Sequence, residues 1–262
     1  MVNIPEVMED AIEALEGRRR ILVFTGAGIS TESGIPDFRG PKGLWTKVDP
    51  EDFTIDRYLA RRDRRVEGWK MHAAGELWGA RSKVQPNDAH RAVAALWEAG
   101  LVSGCITQNV DGLHGLAGLP DEALSEIHGN VRMSMCVACD DRRPIEAILE
   151  RVDAGEEDPP CEVCGGILKP STVMFGELLP DEAIRRAREF ADHADSVLVV
   201  GSTLSVYPAA NFALDVAGRG HPMVIVNLGP TDHDRLATVR IEAKAGKAMT
   251  QLASRLAVRH TP

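Results

Sequence analysis

With 262 residues, 44% hydrophobic and 26% charged, the chain has the composition of an ordinary globular protein, and length alone leaves open one large domain or a core with a smaller module. No apolar run approaches the roughly 20 residues that span a bilayer, and the acidic segment Met1 to Gly17 has neither the basic head nor the apolar core of a secretory signal, so the expected compartment is the cytoplasm. A formal charge of −9 argues against extended contact with nucleic acid phosphates and leans slightly toward a basic, lysine-bearing partner.

In chain order, Ile4, Val7, Met8, Ala11, Ile12 and Leu15 recur with a helical period that Gly17 ends. Ile21 to Phe24 reads as a buried strand that empties into Gly26-Ala27-Gly28-Ile29-Ser30-Thr31, with a helix start at Ser30. Small residues after a strand let backbone N–H groups face a pyrophosphate. Thr31 occupies the place of the third glycine in G-x-G-x-x-G, however, so the tripeptide alone is equally an ordinary tight turn. Pro36-Asp37-Phe38-Arg39 cannot continue a helix. From Pro41 to Gln85 the pattern is broken, with Trp45, Trp69, Trp78 and the basic run Arg61 to Arg65; this reads as helices and loops inserted over a cleft.

Pro86-Asn87-Asp88-Ala89 opens a helix with Asn87 or Asp88 as cap, Val93 and Leu96 facing inward and Gly100 as stop. The strand Leu101 to Thr107 runs into Gln108-Asn109-Val110-Asp111-Gly112-Leu113-His114, and a short strand near 124–127 precedes His128-Gly129-Asn130. A helix follows Pro180 to about Ala194. The strand Ser196 to Val200 meets Gly201-Ser202-Thr203, a helix follows Pro208, and the strand Met223 to Val226 ends in Asn227. A short strand near 239–241 and a helix from Gly246 to Leu256 close the pattern. Alternating helices and continuously apolar strands predict an α/β fold with a parallel sheet covered on both faces. Polar or glycine-rich segments follow the strands ending near 24, 107, 200 and 226, where open α/β sheets bind ligands.

Four of the five cysteines form Cys136-x-x-Cys139 and Cys161-x-x-Cys164 within a stretch, 131–170, of little periodicity. Two such turns complete a tetrahedral S4 site suited to Zn²⁺. Two disulfides or a redox pair are the competing readings. A cytoplasmic setting disfavours the first, and a thioredoxin-like motif uses one C-x-x-C beside a βαβ unit. With all four positions filled by thiolates no coordination site stays open, so the zinc is expected to be structural. Asp140 to Pro160 is charged and proline-containing, which predicts a segment without a core of its own, folded by the metal. Cys105, inside an apolar strand, reads as a small buried hydrophobe.

The motifs Gly26-Ala27-Gly28-Ile29-Ser30, Gly34-Ile35-Pro36-Asp37-Phe38-Arg39-Gly40, Thr107-Gln108-Asn109-Val110-Asp111-Gly112-Leu113-His114 and His128-Gly129 resemble those of the sirtuin family. So do the paired C-x-x-C, Lys169-Pro170 with Phe175-Gly176-Glu177, and Gly201-Ser202-Thr203-Leu204, where the family usually reads Gly-Thr-Ser. Order and spacing agree from about residue 20 to 250. The resemblance is to bacterial-type members, with Gly40 to Trp45 and Ile127 to Asn130 also similar to the nuclear, chromatin-directed branch.

The resemblance implies a Rossmann-type NAD-binding domain over 1–40, 86–128 and 171–262, a helical insertion and cofactor loop over 41–85, and a zinc-ribbon module over 129–170. It implies NAD as co-substrate, one structural Zn²⁺, and removal of acyl groups from lysine side chains with release of nicotinamide and O-acyl-ADP-ribose. Gly26, Ala27, Gly28, Thr31, Asp37, Phe38 and Arg39 are implied around NAD, with Trp45 in the cofactor loop. Gln108, Asn109 and Asp111 are implied at the ribose and nicotinamide, Gly201 and Thr203 in the second phosphate-side loop, and Asn227, Gly229 and Ala245 at the adenosine. His128 is implied as general base and as a cofactor contact, and an imidazole titrates near neutrality as that role requires. Asn109 and Asp111 can hold a carboxamide by donor and acceptor groups. His114 reads as a scaffold residue; His72, His90, His193, His221, His233 and His260 read as surface or core-edge positions.

Family members that prefer acidic acyl groups carry Tyr-x-x-Arg shortly before the Pro-Asn helix. Here that region reads Trp69-Lys70-Met71-His72, and Tyr58-Leu59-Ala60-Arg61 lies too early, so acetyl or longer apolar acyl groups are expected. Acyl-lysine proteins or peptides are the expected partners. An ADP-ribosyltransferase using the same site and a non-catalytic NAD- or peptide-binding module are the alternatives.

Overall fold

The computed structural model describes residues 4–37, 40, 43, 46 and 49–260. Helix α1 (Ile4–Leu15) leads into β1 (Ile21–Thr25), which is the centre of the main sheet. On one side of β1 lie β2 (Val102–Thr107) and β3 (Leu124–Glu126); on the other lie β7 (Ser196–Val200), β8 (Met223–Val226) and β9 (Val239–Ile241). All neighbours are parallel, in the order β3-β2-β1-β7-β8-β9. The chain therefore winds outward from β1 in one direction and returns to wind in the other. That reversal opens a crevice beyond the carboxyl ends of β1 and β7, the position at which such sheets bind ligands.

Strand β1 shows why its apolar run is continuous. Ile21 and Val23 enter one core with α1, α4 (Asp88–Glu98) and α9 (Ala245–His260), while Leu22 and Phe24 enter the opposite core with α7 (Asp181–His193) and α8 (Ala209–Gly218). All four side chains are fully buried, so neither face of the strand could be polar. The expected elements of this domain are present. Asn87 caps α4 by accepting the Ala89 N–H at 2.9 Å, and His90 Nδ1 accepts the Asn87 N–H at 3.3 Å, a capping box closed by histidine.

The second lobe contains a helix that is not among the elements the sequence pattern marks. An antiparallel sheet of β5 (Arg142–Pro144), β4 (Gly129–Cys136) and β6 (Leu168–Thr172) carries α6 (Ile145–Asp153). Residues 140–160 share a core with the rest of the chain: Ile145, Ile148 and Leu149 are buried with Trp69, Cys136, Cys161 and Leu168. Ile145, Ile148, Leu149 and Val152 keep a helical period, but the walls come from elsewhere in the chain, chiefly from Trp69 on α3 (Arg62–Ala73). The insertion and the ribbon are bolted together by polar contacts as well. Tyr58 of α2 (Ile55–Ala60) donates its hydroxyl to the Leu168 carbonyl at 2.8 Å. Arg65 pairs with Asp158 at 2.9 Å with both side chains largely buried, and Arg81 reaches Glu146 and Asp153. No helix among the described residues is long and apolar enough to cross a membrane.

Candidate functional site

The site is built from strand ends. β1 stops at Thr25, and residues Ala27–Ser33 wind at once into a 3-10 helix, where the sequence suggested a helix starting at Ser30. The tighter turn brings two loops into backbone contact. The Gly26 N–H donates to the Val200 carbonyl at 3.1 Å and the Gly28 N–H to the Gly201 carbonyl at 2.8 Å. A Cβ on Gly28 would lie 2.6 Å from the Gly201 Cα, and Gly201 itself has a φ of +64°. Glycine is required at both positions by this approach, with nothing needed from a third glycine at Thr31.

Ser30 organises the buried part of the crevice. Its hydroxyl donates to Asp111 Oδ2 at 2.7 Å, accepts from Asn109 Nδ2 at 3.1 Å and faces His90 Nε2 at 3.4 Å. Because the Asn87 N–H occupies His90 Nδ1, the ring proton sits on Nε2 and points at Ser30. One donor and two acceptor positions exhaust a hydroxyl. Asn109 Nδ2 also donates to the Gly26 carbonyl at 3.2 Å, and Asp111 Oδ1 accepts the Leu113 N–H at 2.9 Å. Asn109 and Asp111 are 6% and 5% exposed, so these bonds decide whether they can be buried at all. Burial pushes the Asp111 carboxyl up from its ordinary value, against the pull of the Leu113 N–H, Ser30 and Arg132.

Behind this layer, Thr25 Oγ1 donates to Thr107 Oγ1 at 2.8 Å and therefore accepts from His114 Nε2 at 3.0 Å. His114 is a buried scaffold residue whose ring lies 5.0 Å from that of His90. His90 is no surface or core-edge residue, as the sequence suggested, but fully buried between α4 and Ser30. Burial holds its imidazole down at about 4 and keeps it neutral. Neither Ser30, which stands inside the Gly-Ala-Gly-Ile-Ser motif, nor His90 is marked as a site residue by the sequence.

His128 follows the end of β3 and joins the same crevice. Its Nδ1 lies 2.9 Å from the Gln108 carbonyl, which can only accept, so the proton is on Nδ1 and the Nε2 lone pair is free. Burial lowers its pKa from the ordinary imidazole value. Gln108 in turn donates from Nε2 to Ser202 Oγ at 2.8 Å, which ties His128 to the loop after β7. Side chains from the ends of β1, β2, β3 and β7 thus form two neighbouring hydrogen-bonded groups, Asn109–Ser30–Asp111 and His128–Gln108–Ser202, which together offer a neutral base, a carboxylate and a carboxamide.

The remaining expected contacts fall around this centre. Thr31 is exposed and bonds back to the Gly28 carbonyl at 2.9 Å; Asp37 Oδ1 accepts the Gly40 N–H at 2.9 Å. Ala27 is half-buried in the first turn, and Thr203 Oγ1 meets Ser205 Oγ at 2.8 Å. Asn227 is buried at the end of β8 with Nδ2 on the Leu228 and Gly229 carbonyls, both at 3.1 Å. Ala245 opens α9 with its methyl in the core, leaving its backbone as the group it can offer. Phe38, Arg39 and Trp45 lie outside the described residues.

The four cysteines of the ribbon converge, with all Sγ atoms within 4.8 Å of one another. Cys136 and Cys164 are 3.5 Å apart and Cys139 and Cys161 are 3.7 Å apart, close to the ~3.8 Å edge of a tetrahedron with ~2.3 Å Zn–S bonds. Backbone bonds fold each pair into a tight knuckle: Asp140 N–H to the Cys136 carbonyl at 3.0 Å, and Gly165 N–H to the Cys161 carbonyl at 2.8 Å. The donor set fits one structural zinc ion.

The Sir2 family profile matches residues 26–208, which span the glycine turns, the Gln108 to Asp111 loop, His128 and all four ribbon cysteines. The chain belongs to the Sir2 family. It is 41% identical over 229 residues to the NAD-dependent protein deacetylase of Rhodopseudomonas palustris, covering 87% of this chain and 89% of that one. It is also 41% identical over 241 residues to NAD-dependent protein deacetylase 2 of Streptomyces coelicolor, covering 91% and 98%. A solved Sir2 complex with a p53 peptide and NAD⁺ superposes with a TM-score of 0.80 at 33% identity, covering 95% of this chain and 98% of that one. The Sir2 assignment accounts for the pairing of a doubly wound sheet with a four-cysteine ribbon.

Proposed function

We propose that this Sir2 protein is an NAD-dependent protein lysine deacetylase, converting acyl-lysine, NAD and water to lysine, nicotinamide and O-acyl-ADP-ribose. The observation that carries the reading is a neutral imidazole with its Nε2 free, held in the same crevice as a buried Asn109–Ser30–Asp111 cluster. A protein that merely bound NAD would need no such base. Bound NAD supplies the electrophilic ribose carbon and the hydroxyl that takes over the acyl group.

The residues divide the work by what they can hold. Asn109 and Asp111 clamp the nicotinamide carboxamide, Ser30 keeping both in register. His128 Nε2 takes the proton of the ribose hydroxyl, and Gln108 orients that ring through its carbonyl. Gly26, Ala27, Gly28, Thr31, Gly201 and Thr203 line the phosphate side. Asn227, Gly229 and the backbone of Ala245 meet the adenosine. Asp37, Phe38, Arg39 and Trp45 are assigned as further NAD contacts.

The acyl group is acetyl or a longer apolar chain. Tyr58 spends its hydroxyl on the Leu168 carbonyl, Arg61 is paired with Asp63, and Trp69 is buried in the second lobe, so none of them is placed to receive an acyl carboxylate. The acyl-lysine is presented by a protein or peptide, and the enzyme works in the cytoplasm. The test is turnover with NAD against a panel of acyl-lysine peptides, read by mass spectrometry. O-acyl-ADP-ribose is expected; a protein mass gain of one ADP-ribose, or no nicotinamide release at all, overturns the assignment.

A further inference from the structure

The turn that carries His128 is closed by its own flanks. Glu126 ends β3 and Asn130 is the second residue of β4. Asn130 Nδ2 donates to both Glu126 carboxylate oxygens, at 2.8 and 2.7 Å, straddling Ile127-His128-Gly129. The amide cannot turn over, because Asn130 Oδ1 accepts the Arg132 N–H at 2.8 Å. Arg132 meanwhile lies over the turn after Asp111: a Cβ on Gly112 would meet Arg132 Cδ at 2.9 Å, Nε at 3.0 Å and Asn130 Nδ2 at 3.3 Å.

We propose that Glu126 and Asn130 are positioning residues for the deacylation step, clasping the His128 turn against Gln108 while seating Arg132 over the Asp111 turn. The proposal rests on His128 being the base and adds the device that aims it. Backbone bonds hold the turn at two further points, Ile127 N–H to the Thr107 carbonyl at 3.1 Å and Val173 N–H to the His128 carbonyl at 2.8 Å. Neither fixes the direction of the imidazole, and base catalysis is lost steeply with small misplacement.

The clasp is also titratable. Burial pushes the Glu126 carboxyl up to about 7, with the Asn130 bond opposing. Asp111 from the loop after β2 and Asp121 from the turn before β3 push it further, and Arg132 from β4 pulls it back. Cys105 faces it from β2 as a neutral thiol, its own pKa raised far by burial. From α7, Arg186 reaches the Asp121 and Leu124 carbonyls beside it. Ionised, Glu126 accepts with both oxygens. Protonated, one oxygen carries a hydrogen that faces the Asn130 donor, and the two-oxygen grip is lost. The clasp therefore tightens as the pH rises through about 7.

The zinc-loaded full chain is assayed with NAD and an acetyl-lysine peptide from pH 5.5 to 9, measuring product formation, NAD KM, zinc content and melting. Asn130→Ala is expected to lower kcat about tenfold with NAD KM within about twofold. Glu126→Gln, which can still accept one bond, is expected to cost about threefold and to remove the inflexion near pH 7, leaving that of His128 at lower pH. Wild-type kcat in Asn130→Ala, or a persisting neutral inflexion in Glu126→Gln, overturns the clasp. If either loses its zinc or its melting transition, Asn130→Asp decides. Two facing carboxyls can share one proton at low pH, so its rate must fall as pH rises, and a wild-type profile overturns the proposal. His128→Ala separates the two readings. An active His128→Ala defeats the base assignment, whereas an inactive one beside a fully active Asn130→Ala defeats the clasp alone.

Discussion

Ser30 hands its one hydroxyl proton to Asp111 across 2.7 Å while accepting from Asn109, so a residue from the turn after β1 sets two from the loop after β2. Ser30→Ala leaves a buried carboxylate and a buried amide each short of a partner, at a cost of roughly 1–3 kcal/mol. Nicotinamide release is expected to fall about tenfold to a hundredfold, with a smaller change in NAD affinity, because the remaining cofactor contacts are untouched. Rapid-quench measurement of nicotinamide beside calorimetric NAD binding checks the split; equal losses in both would place Ser30 in general binding.

The glycine contact makes a second, steric prediction. In Gly28→Ala the new methyl carbon would stand 2.6 Å from Gly201 Cα and 2.8 Å from its carbonyl oxygen, both backbone atoms that cannot step aside. Overpacking of this kind costs about 1–3 kcal/mol. The variant is expected to retain zinc and a cooperative transition at lower denaturant, yet lose most NAD binding. Wild-type NAD affinity in the variant would show that the two loops are free to part.

Acid should weaken the fold through buried histidines. His90 and His72 are held down to about 4 by burial, and His114 is lowered well below its ordinary value. In the unfolded chain each protonates near 6.5, while the native state refuses the proton until about 4 for His90 and His72. Their contribution is thus complete above pH 6.5 and is lost as pH falls toward 4, by up to about 3 kcal/mol for His90. Urea midpoints at pH 7.5, 6 and 5 should fall in that order, and His90→Gln should flatten the decline. An unchanged slope in that variant would remove His90 from the account.

Zinc removal is expected to act beyond the ribbon. Cys136 and Cys161 share a core with Trp69, so chelation should expose Trp69 and shift its emission to the red, while the main sheet, with its separate cores, persists. Repeating the measurement in Trp69→Phe assigns the signal, and zinc analysis should return one ion per chain. An unshifted spectrum on full metal loss would uncouple the helical insertion from the ribbon.

Much of this was legible because strands buried on both faces leave an unbroken apolar record, as Ile21 to Phe24 does, and because C-x-x-C spacing states its own geometry. What the sequence does not display depends on partners that only the fold brings together. Residues 140–160 show no core of their own because the wall of the one they share, Trp69, lies two strands of the main sheet earlier in the chain. His90 looked incidental because its two bonds run to Asn87 and Ser30, and a lone histidine on a helix face carries no mark of either. The clasp on His128 was invisible for a different reason. Glu126 and Asn130 are four residues apart, but only the reversal between β3 and β4 turns their side chains toward each other.

The walls around Trp69 also impose an order on assembly. Its partners arrive at Cys136, Ile145, Cys161 and finally Leu168, so during synthesis the helical insertion emerges long before anything exists to cover it. Until residue 168 has left the ribosome, the indole, the Arg65 guanidinium awaiting Asp158 and the Tyr58 hydroxyl awaiting Leu168 all stay in water. The lobe can close only after β2 and β3 have been made, and that sets the second lobe, zinc included, as a late event in the life of the nascent chain.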